Sequence, residues 1–215
     1  QLDPNYLRNQ VAMLGQAPRL FLGTLRENLD LARQDGFSTD QELLLALKRF
    51  GLESLIQNHP RGLDMPLGED GLGLSGGQKQ IIALARLTLR SPRVVLLDEP
   101  TNGLDQLTER QTLNALHQWS KDKTLVVVTH RTQVLSIVSR VVVMDQGQVV
   151  MDGPRDEVLK KLAQNEQKKT TTPSTATSAQ TVTSATQASN AAGRTIVIQP
   201  DNATTVRKQT KETAL

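Results

Sequence analysis

Apolar residues repeat along this chain in two rhythms that alternate from the N-terminus onward. Val11-Ala12-Met13-Leu14 is a short continuous run that reads as a strand. Ahead of it, Asp3-Pro4 through Gln10 reads as a short helical turn with Pro4 at a first helical position. From about Leu29 to Gly73 the rhythm is helical: Ser38 or Thr39 caps a helix carrying Leu43, Leu44, Leu47 and Phe50, which Gly51 ends. A second short helix spans Glu53 to Asn58, and His59-Pro60 stops it. Ile81, Leu84, Ala85 and Leu89 recur at the spacing of one buried helical face, with Ser75 as its natural N-cap and Ser91-Pro92 as its end. Val94-Val95-Leu96-Leu97 then reads as a central parallel strand buried on both faces.

Beyond this strand the alternation continues. A helix is expected from about Leu107 to Trp119, a second buried strand over Thr124–Val128, and a short helix over residues 132–138. Val141–Asp145 and Gln148–Met151 read as paired strands joined by a Gln146-Gly147 turn. An amphipathic helix follows to about Leu162. After Gln164 the periodicity stops. Of the 23 residues 170–192, 18 are Thr, Ser or Ala, so burial cannot offset the entropy of ordering them and disorder is expected. Thr195-Ile196-Val197-Ile198 is the one strand-like patch in the tail and reads as an incidental apolar cluster.

Charge and composition narrow the function. The net charge of +3 belongs wholly to the tail, since residues 1–164 hold 19 basic and 19 acidic side chains. A neutral folded part offers no nucleic-acid-binding face, and 2% aromatics argues against base-stacking platforms. The absence of cysteine excludes disulfides and thiolate metal sites. No apolar run reaches the roughly 20 residues that cross a bilayer, so membrane association would need a partner or another segment.

Candidate chemistry clusters between Leu74 and Pro100. Leu74-Ser75-Gly76-Gly77-Gln78 sets a hydroxyl and two glycines at a helix start, where unpaired N–H groups and the helix dipole favour an anion. Asp98 and Glu99 sit at the C-terminal end of an apolar strand, the edge where open α/β sheets place ligands. By themselves, Gln16 is a loop amide, and His59 and His130 are ordinary histidines after a helix and a strand. His59 has no second ligand near it and is read as a loop residue.

LSGGQ followed 20 residues later by the Asp-Glu pair resembles the signature and Walker B motifs of ATP-binding cassette (ABC) ATPases. LGQAPRLFLGTLRENL resembles the Q-loop of exporter-type cassettes, Gly68-Glu69-Asp70-Gly71 their G-E-R-G element with Asp70 in place of Arg, Thr101–Asp105 the D-loop, and VVVTH ending at His130 the H-loop. The resemblance implies an α/β fold: an incomplete RecA-like P-loop NTPase core with an ABC helical subdomain and a disordered C-terminal tail. It divides the chain into 1–28 (Q-loop part of the core), 29–91 (helical subdomain), 92–164 (core with Walker B, D-loop and H-loop) and 165–215 (tail).

Implied roles follow residue by residue. Ser75, Gly76, Gly77 and Gln78 would bind the γ-phosphate of ATP held by a partner cassette. Asp98 would hold Mg²⁺ through water, Glu99 would polarise the attacking water, and His130 would contact the γ-phosphate. Gln16 would sense Mg²⁺ and relay nucleotide state to a membrane partner, and Asp105 would bridge the subunits. The implied partners are a second nucleotide-binding domain in a homodimer and a transmembrane domain in the same polypeptide, at the cytoplasmic face of a bacterial inner membrane. The wording is most similar to type I secretion ATPases, which would add a periplasmic adaptor and an outer-membrane channel; a lipid or drug exporter, or a degenerate regulatory cassette, is the alternative. No nucleic-acid partner is expected: cassettes of DNA-repair type split at a long coiled coil, and only 59 residues without heptads separate Gln16 from Ser75. One element departs from the family. No G-x-x-x-x-G-K-[ST] occurs in these residues, so the chain by itself is expected to bind ATP poorly, and a missing N-terminal half is the expected cause.

Overall fold

The computed structural model of the protein describes residues 3–33, 36–169 and 195–199. Helix α1 (Pro4–Gln10) leads into β1 (Val11–Leu14). A two-residue strand, β2 (Gly23–Thr24), precedes α2 (Leu25–Asp30), α3 (Asp40–Arg49) and α4 (Glu53–Gln57), and β3 (Pro66–Leu67) follows them. Then come α5 (Gly76–Thr88), β4 (Val94–Asp98), α6 (Gln106–Trp119), β5 (Thr124–Thr129), β6 (Arg140–Asp145), β7 (Gln148–Pro154), α7 (Arg155–Lys169) and β8 (Thr195–Gln199).

The main sheet has the order β1-β4-β5-β8-β6-β7. β1, β4 and β5 are parallel neighbours, and their register aligns two buried rows, Ala12–Val95–Leu125 and Leu14–Leu97–Val127. Each buried Val or Leu of these rows contributes about 1.5–3 kcal/mol, which is why this face fixes the register. The other face is less covered than the unbroken apolar run suggests: Met13 is 69% exposed, and Val94, Leu96 and Val126 are half-buried. β4 is therefore central but fully buried on one face only.

The helices start where their caps dictate. Thr24, Thr39 and Ser75 each form a capping box with the residue three positions on (Glu27, Glu42 and Gln78), exchanging side-chain and backbone hydrogen bonds. Of the two expected caps for α3, Thr39 is used; Ser38 is instead buried, its backbone N–H donating to Asp30. Leu25, Leu29, Leu43, Leu47, Phe50, Ile82 and Leu84 are all fully buried and weld α2, α3 and α5 together. The antiparallel β2–β3 pair, Gly23 with Leu67 and Thr24 with Pro66, interrupts the stretch whose pattern reads as helical throughout.

The C-terminal region departs from the sequence reading in two places. α7 continues to Lys169 rather than stopping near Leu162. Thr195–Gln199, read as an incidental cluster, is a strand between β5 and β6 and antiparallel to both. Its five residues pair with Leu125–Thr129, filling a lane between two mutually parallel strands. Most of the stretch expected to be disordered, residues 170–194 and 200–215, lies outside the described residues. Gln146 and Gly147 both adopt positive φ (46° and 79°), the geometry of a tight hairpin turn between β6 and β7. No helix among the described residues is long and apolar enough to cross a membrane.

Candidate functional site

The start of α5 is built by reciprocal hydrogen bonds. Ser75 Oγ accepts from the Gln78 N–H (3.1 Å), and Gln78 Oε1 accepts from the Ser75 N–H (2.9 Å). The two glycines between them have different reasons to lack a side chain. A Cβ on Gly76 would meet nothing within 4 Å, so the turn is open on that side; one on Gly77 would lie 3.0 Å from the Gly103 carbonyl oxygen and 3.2 Å from Leu104 Cδ2. Gly77 is thus a packing glycine and Gly76 an access glycine. The first-turn N–H groups of the helix have no intrahelical acceptor, which makes the opening at Gly76 suited to an anion.

Gln80, one turn into α5, is buried and donates from Nε2 to the carbonyls of Glu99 (3.3 Å) and Pro100 (3.0 Å). This ties the glycine turn to the end of β4. A cavity of about 440 Å³ opens beside the tie, lined by Gln16, Asp70, Gly76, Lys79, Asn102 and Gly103 among others. The structure therefore gathers the loop after β1, the turn before α5 and the loop after β4 around one space. Asp70 stands in this wall with positive φ (54°), on the same cavity as the Lys79 amine.

At the end of β4, Asp98 is half-buried and pairs in register with Val128. Glu99 leaves the strand with φ 47°, a left-handed conformation that costs about 1–3 kcal/mol for a residue with a side chain. Its carboxylate is buried, at 6% exposure, and fully engaged. Oε2 accepts from Thr129 Oγ1 (3.1 Å); Oε1 accepts from the His130 N–H (3.0 Å) and lies 2.7 Å from His130 Nδ1. The imidazole remains 56% exposed. The strained backbone at Glu99 is held by Glu99 N–H donating to the Val128 carbonyl (2.8 Å) and by these side-chain bonds.

Asp105 serves as the N-cap of α6. Its Oδ1 accepts from the Leu107 and Thr108 N–H groups (both 3.0 Å) and Oδ2 from Thr108 Oγ1 (2.6 Å). The Thr108 hydroxyl, reinforced by the Thr108 and Leu107 amides, holds this carboxyl below the ordinary aspartate range. Two further sets of residues escape a reading of the sequence. Glu109, Thr101 and Arg131 form a buried hydrogen-bonded triangle behind Glu99 and His130. Arg86 of α5 donates to the carbonyls of Asn28 (2.7 Å) and Arg19 (3.2 Å) and stands 5.9 Å over the Phe21 ring, linking α5 to the segment after Gln16. Burial pushes the Arg86 guanidinium below its ordinary value. Neither set has a sequence signal, because a charged residue on a helix ordinarily faces water.

The arrangement fits a nucleotide in part. The turn at Gly76 is open and begins a helix, a place where first-turn N–H groups suit a phosphate. Among the described residues no three His, Cys, Asp or Glu side chains group to hold a metal ion. A magnesium ion that takes most of its ligands from phosphate and water needs only one or two carboxylates, and Asp98 can supply one.

A mixed sheet, a serine-capped helix that starts with two glycines, and an acidic strand end are together compatible with a nucleotide-binding cassette. Residues 2–102 match the family model described as ABC transporter. Over 159 residues the chain is 40% identical to multidrug resistance protein 4 of Entamoeba histolytica, covering 74% of this chain and 12% of that protein. It is 42% identical over 158 residues to the glutathione/L-cysteine transport system ATP-binding/permease protein CydC of Escherichia coli, covering 74% of this chain and 27% of that one. Among solved structures, a bacterial Atm1-family ABC exporter with ATP bound superposes with a TM-score of 0.68 at 28% identity, over 80% of this chain and 30% of the exporter chain. The chain spans from about an eighth to about a quarter of the length of these curated relatives. In fold and sequence it is similar to the nucleotide-binding domains of ABC transporters.

Proposed function

We propose that the chain belongs to an ATP-hydrolysing domain that powers export of a small molecule, working head to tail with a second cassette and joined to a transmembrane domain on the cytoplasmic side of a membrane. The observation that carries the reading is the pairing of a buried, fully hydrogen-bonded Glu99 with a half-exposed His130 at the sheet edge. ATP with Mg²⁺ would supply a transferable phosphoryl group and the charge that offsets its transfer. Gly76 N–H and the Ser75 hydroxyl would meet phosphate oxygens presented by the partner cassette. Asp98 would hold the metal through water, and Gln16 would reach toward it from the cavity wall. Glu99 would orient the attacking water and accept its proton at a carboxylate oxygen, and His130 would donate a hydrogen bond to phosphate. Such chemistry depends on positioning and charge more than on covalent steps, which suits groups already held in place by backbone donors.

For cargo, the names of the relatives favour a small molecule, such as a drug or a thiol compound, over a protein. Secretion of a protein, with an adaptor and an outer-membrane channel, finds no counterpart among them. Domain limits at 28/29, 91/92 and 164/165 remain part of this proposal. The test is transport by inverted membrane vesicles that contain the transporter. ATP-dependent uptake of amphipathic dyes or of glutathione supports the reading, and His130→Ala should reduce it at least tenfold, as loss of a transition-state hydrogen-bond donor does. Uptake that persists without ATP, or with the alanine variant at full rate, counts against it.

A further inference from the structure

Glu109 lies in the first turn of α6 and is only 2% exposed, a carboxylate on a helix whose neighbours Gln106, Leu107 and Arg110 face solvent. Its Oε1 accepts from Thr101 Oγ1 (2.8 Å) and its Oε2 from Arg131 Nη2 (2.8 Å), while Arg131 Nη1 donates to the Thr101 carbonyl (2.8 Å). The three residues close a triangle in which every bond is short and has a charged donor or acceptor. Thr101 is two residues beyond Glu99, and Arg131 is one beyond His130. The Arg131 N–H also donates to Thr129 Oγ1 (3.0 Å), the hydroxyl that itself donates to Glu99. Glu109 therefore grips, from behind, the two loops whose front ends meet in the 2.7 Å contact between Glu99 and His130.

Stability alone does not account for such a residue. A buried ion pair is often replaceable by apolar side chains without loss, because desolvation consumes most of the attraction. What a planar guanidinium that bridges the Glu109 carboxylate and the Thr101 carbonyl supplies beyond stability is fixed geometry.

We propose that Glu109 is a positioning residue that sets the separation of Glu99 and His130, acting through Arg131 and Thr101; this rests on the hydrolytic role proposed above for that pair. Two measurements test it. In the transporter that contains the chain, Glu109→Gln should lower kcat by about tenfold or more and leave KM for ATP within about threefold, since small misplacements of reacting groups cost rate more than binding. In the 215-residue chain itself, the ¹⁵N signal of His130 Nδ1, which reports its hydrogen bond to Glu99, should move toward that of a free imidazole in the same variant. A folded Glu109→Gln protein with an unmoved His130 signal and full kcat overturns the proposal and leaves a clamp that serves folding only. Should Glu109→Gln fail to fold, Arg131→Lys takes its place, because it keeps the charge and loses the fork. A wild-type transporter that hydrolyses no ATP would refute the proposed function, and the His130 signal would still decide whether Glu109 positions the pair.

Discussion

Alanine at the two adjacent glycines of α5 should change stability in opposite directions. At Gly76 an added Cβ meets nothing within 4 Å, and its φ is not in the left-handed region. Alanine there restricts the unfolded chain and favours the helix, a gain of about 0.4–1 kcal/mol at a compatible site, with the lower end expected in a first turn. At Gly77 the same methyl would sit 3.0 Å from the Gly103 carbonyl oxygen and 3.2 Å from Leu104 Cδ2. Neither neighbour is a flexible chain end: one is backbone, and Leu104 is itself buried at 8% exposure. The loop after β4 would have to retreat by a few tenths of an ångström, and overpacking of that kind costs about 1–3 kcal/mol, which exceeds the helix gain. At roughly 2–4 °C per kcal/mol for a chain of this size, the two variants should separate by several degrees in thermal unfolding, with Gly76→Ala at or above wild type and Gly77→Ala below it. Urea titration gives the same ordering at equilibrium. Equal destabilisation by both, or a stabilised Gly77→Ala, would refute the packing of α5 against Gly103. Only Gly76→Ala should weaken phosphate binding without loss of stability, because it alone fills the open side of the turn.

Two further outcomes follow from the core and the caps. Leu47→Ala, in a residue with no exposed surface between α3 and its neighbours, should cost about 2–5 kcal/mol in urea unfolding, and a cost below about 1 kcal/mol would mean that α3 is not welded to α5 as described. The cap of α6 is pH-dependent in a defined direction: a depressed Asp105 carboxyl contributes stability that is fully present above the ordinary aspartate value and is lost as pH falls through its lower folded value. Thr108→Val removes the largest cause of that depression, so the Asp105 carboxyl ¹³C titration should move to higher pH, and an unmoved midpoint would discard the assignment.

How far the sequence could be read depended on the range of the interactions involved. Elements set by local pattern were legible: α5 with its Ser75 cap, the β6–β7 turn at Gln146-Gly147, and β4 and β5 as apolar runs. Thr39 and Ser38 were equal candidates for one cap, and only the reach of Glu42 back to Thr39 chose between them. Long-range pairings left no trace. β2 and β3 are two residues each and 42 positions apart, too short to show alternation. β8 pairs with strands some 70 and 55 residues before it, which no local pattern in a Thr-rich tail announces. In the candidate site, Gln16, Ser75, Gly76, Glu99, Asp105 and His130 were singled out in the sequence through resemblance, and their roles belong to the proposal. Their supports were not: Gln80, Glu109, Arg131 and Arg86 are polar residues whose burial arises only once distant loops converge.

The most direct measurement is ATP hydrolysis by the purified transporter, comparing wild type with Glu99→Gln. The substitution keeps the shape that the Thr129 hydroxyl and the His130 amide enclose, and removes the charge that would take the proton from water. Turnover should fall by at least about 100-fold, as for loss of a general base, while ATP stays bound to the arrested dimer. Hydrolysis that continues at the wild-type rate, or a variant that no longer retains ATP, would contradict a hydrolytic centre at Glu99.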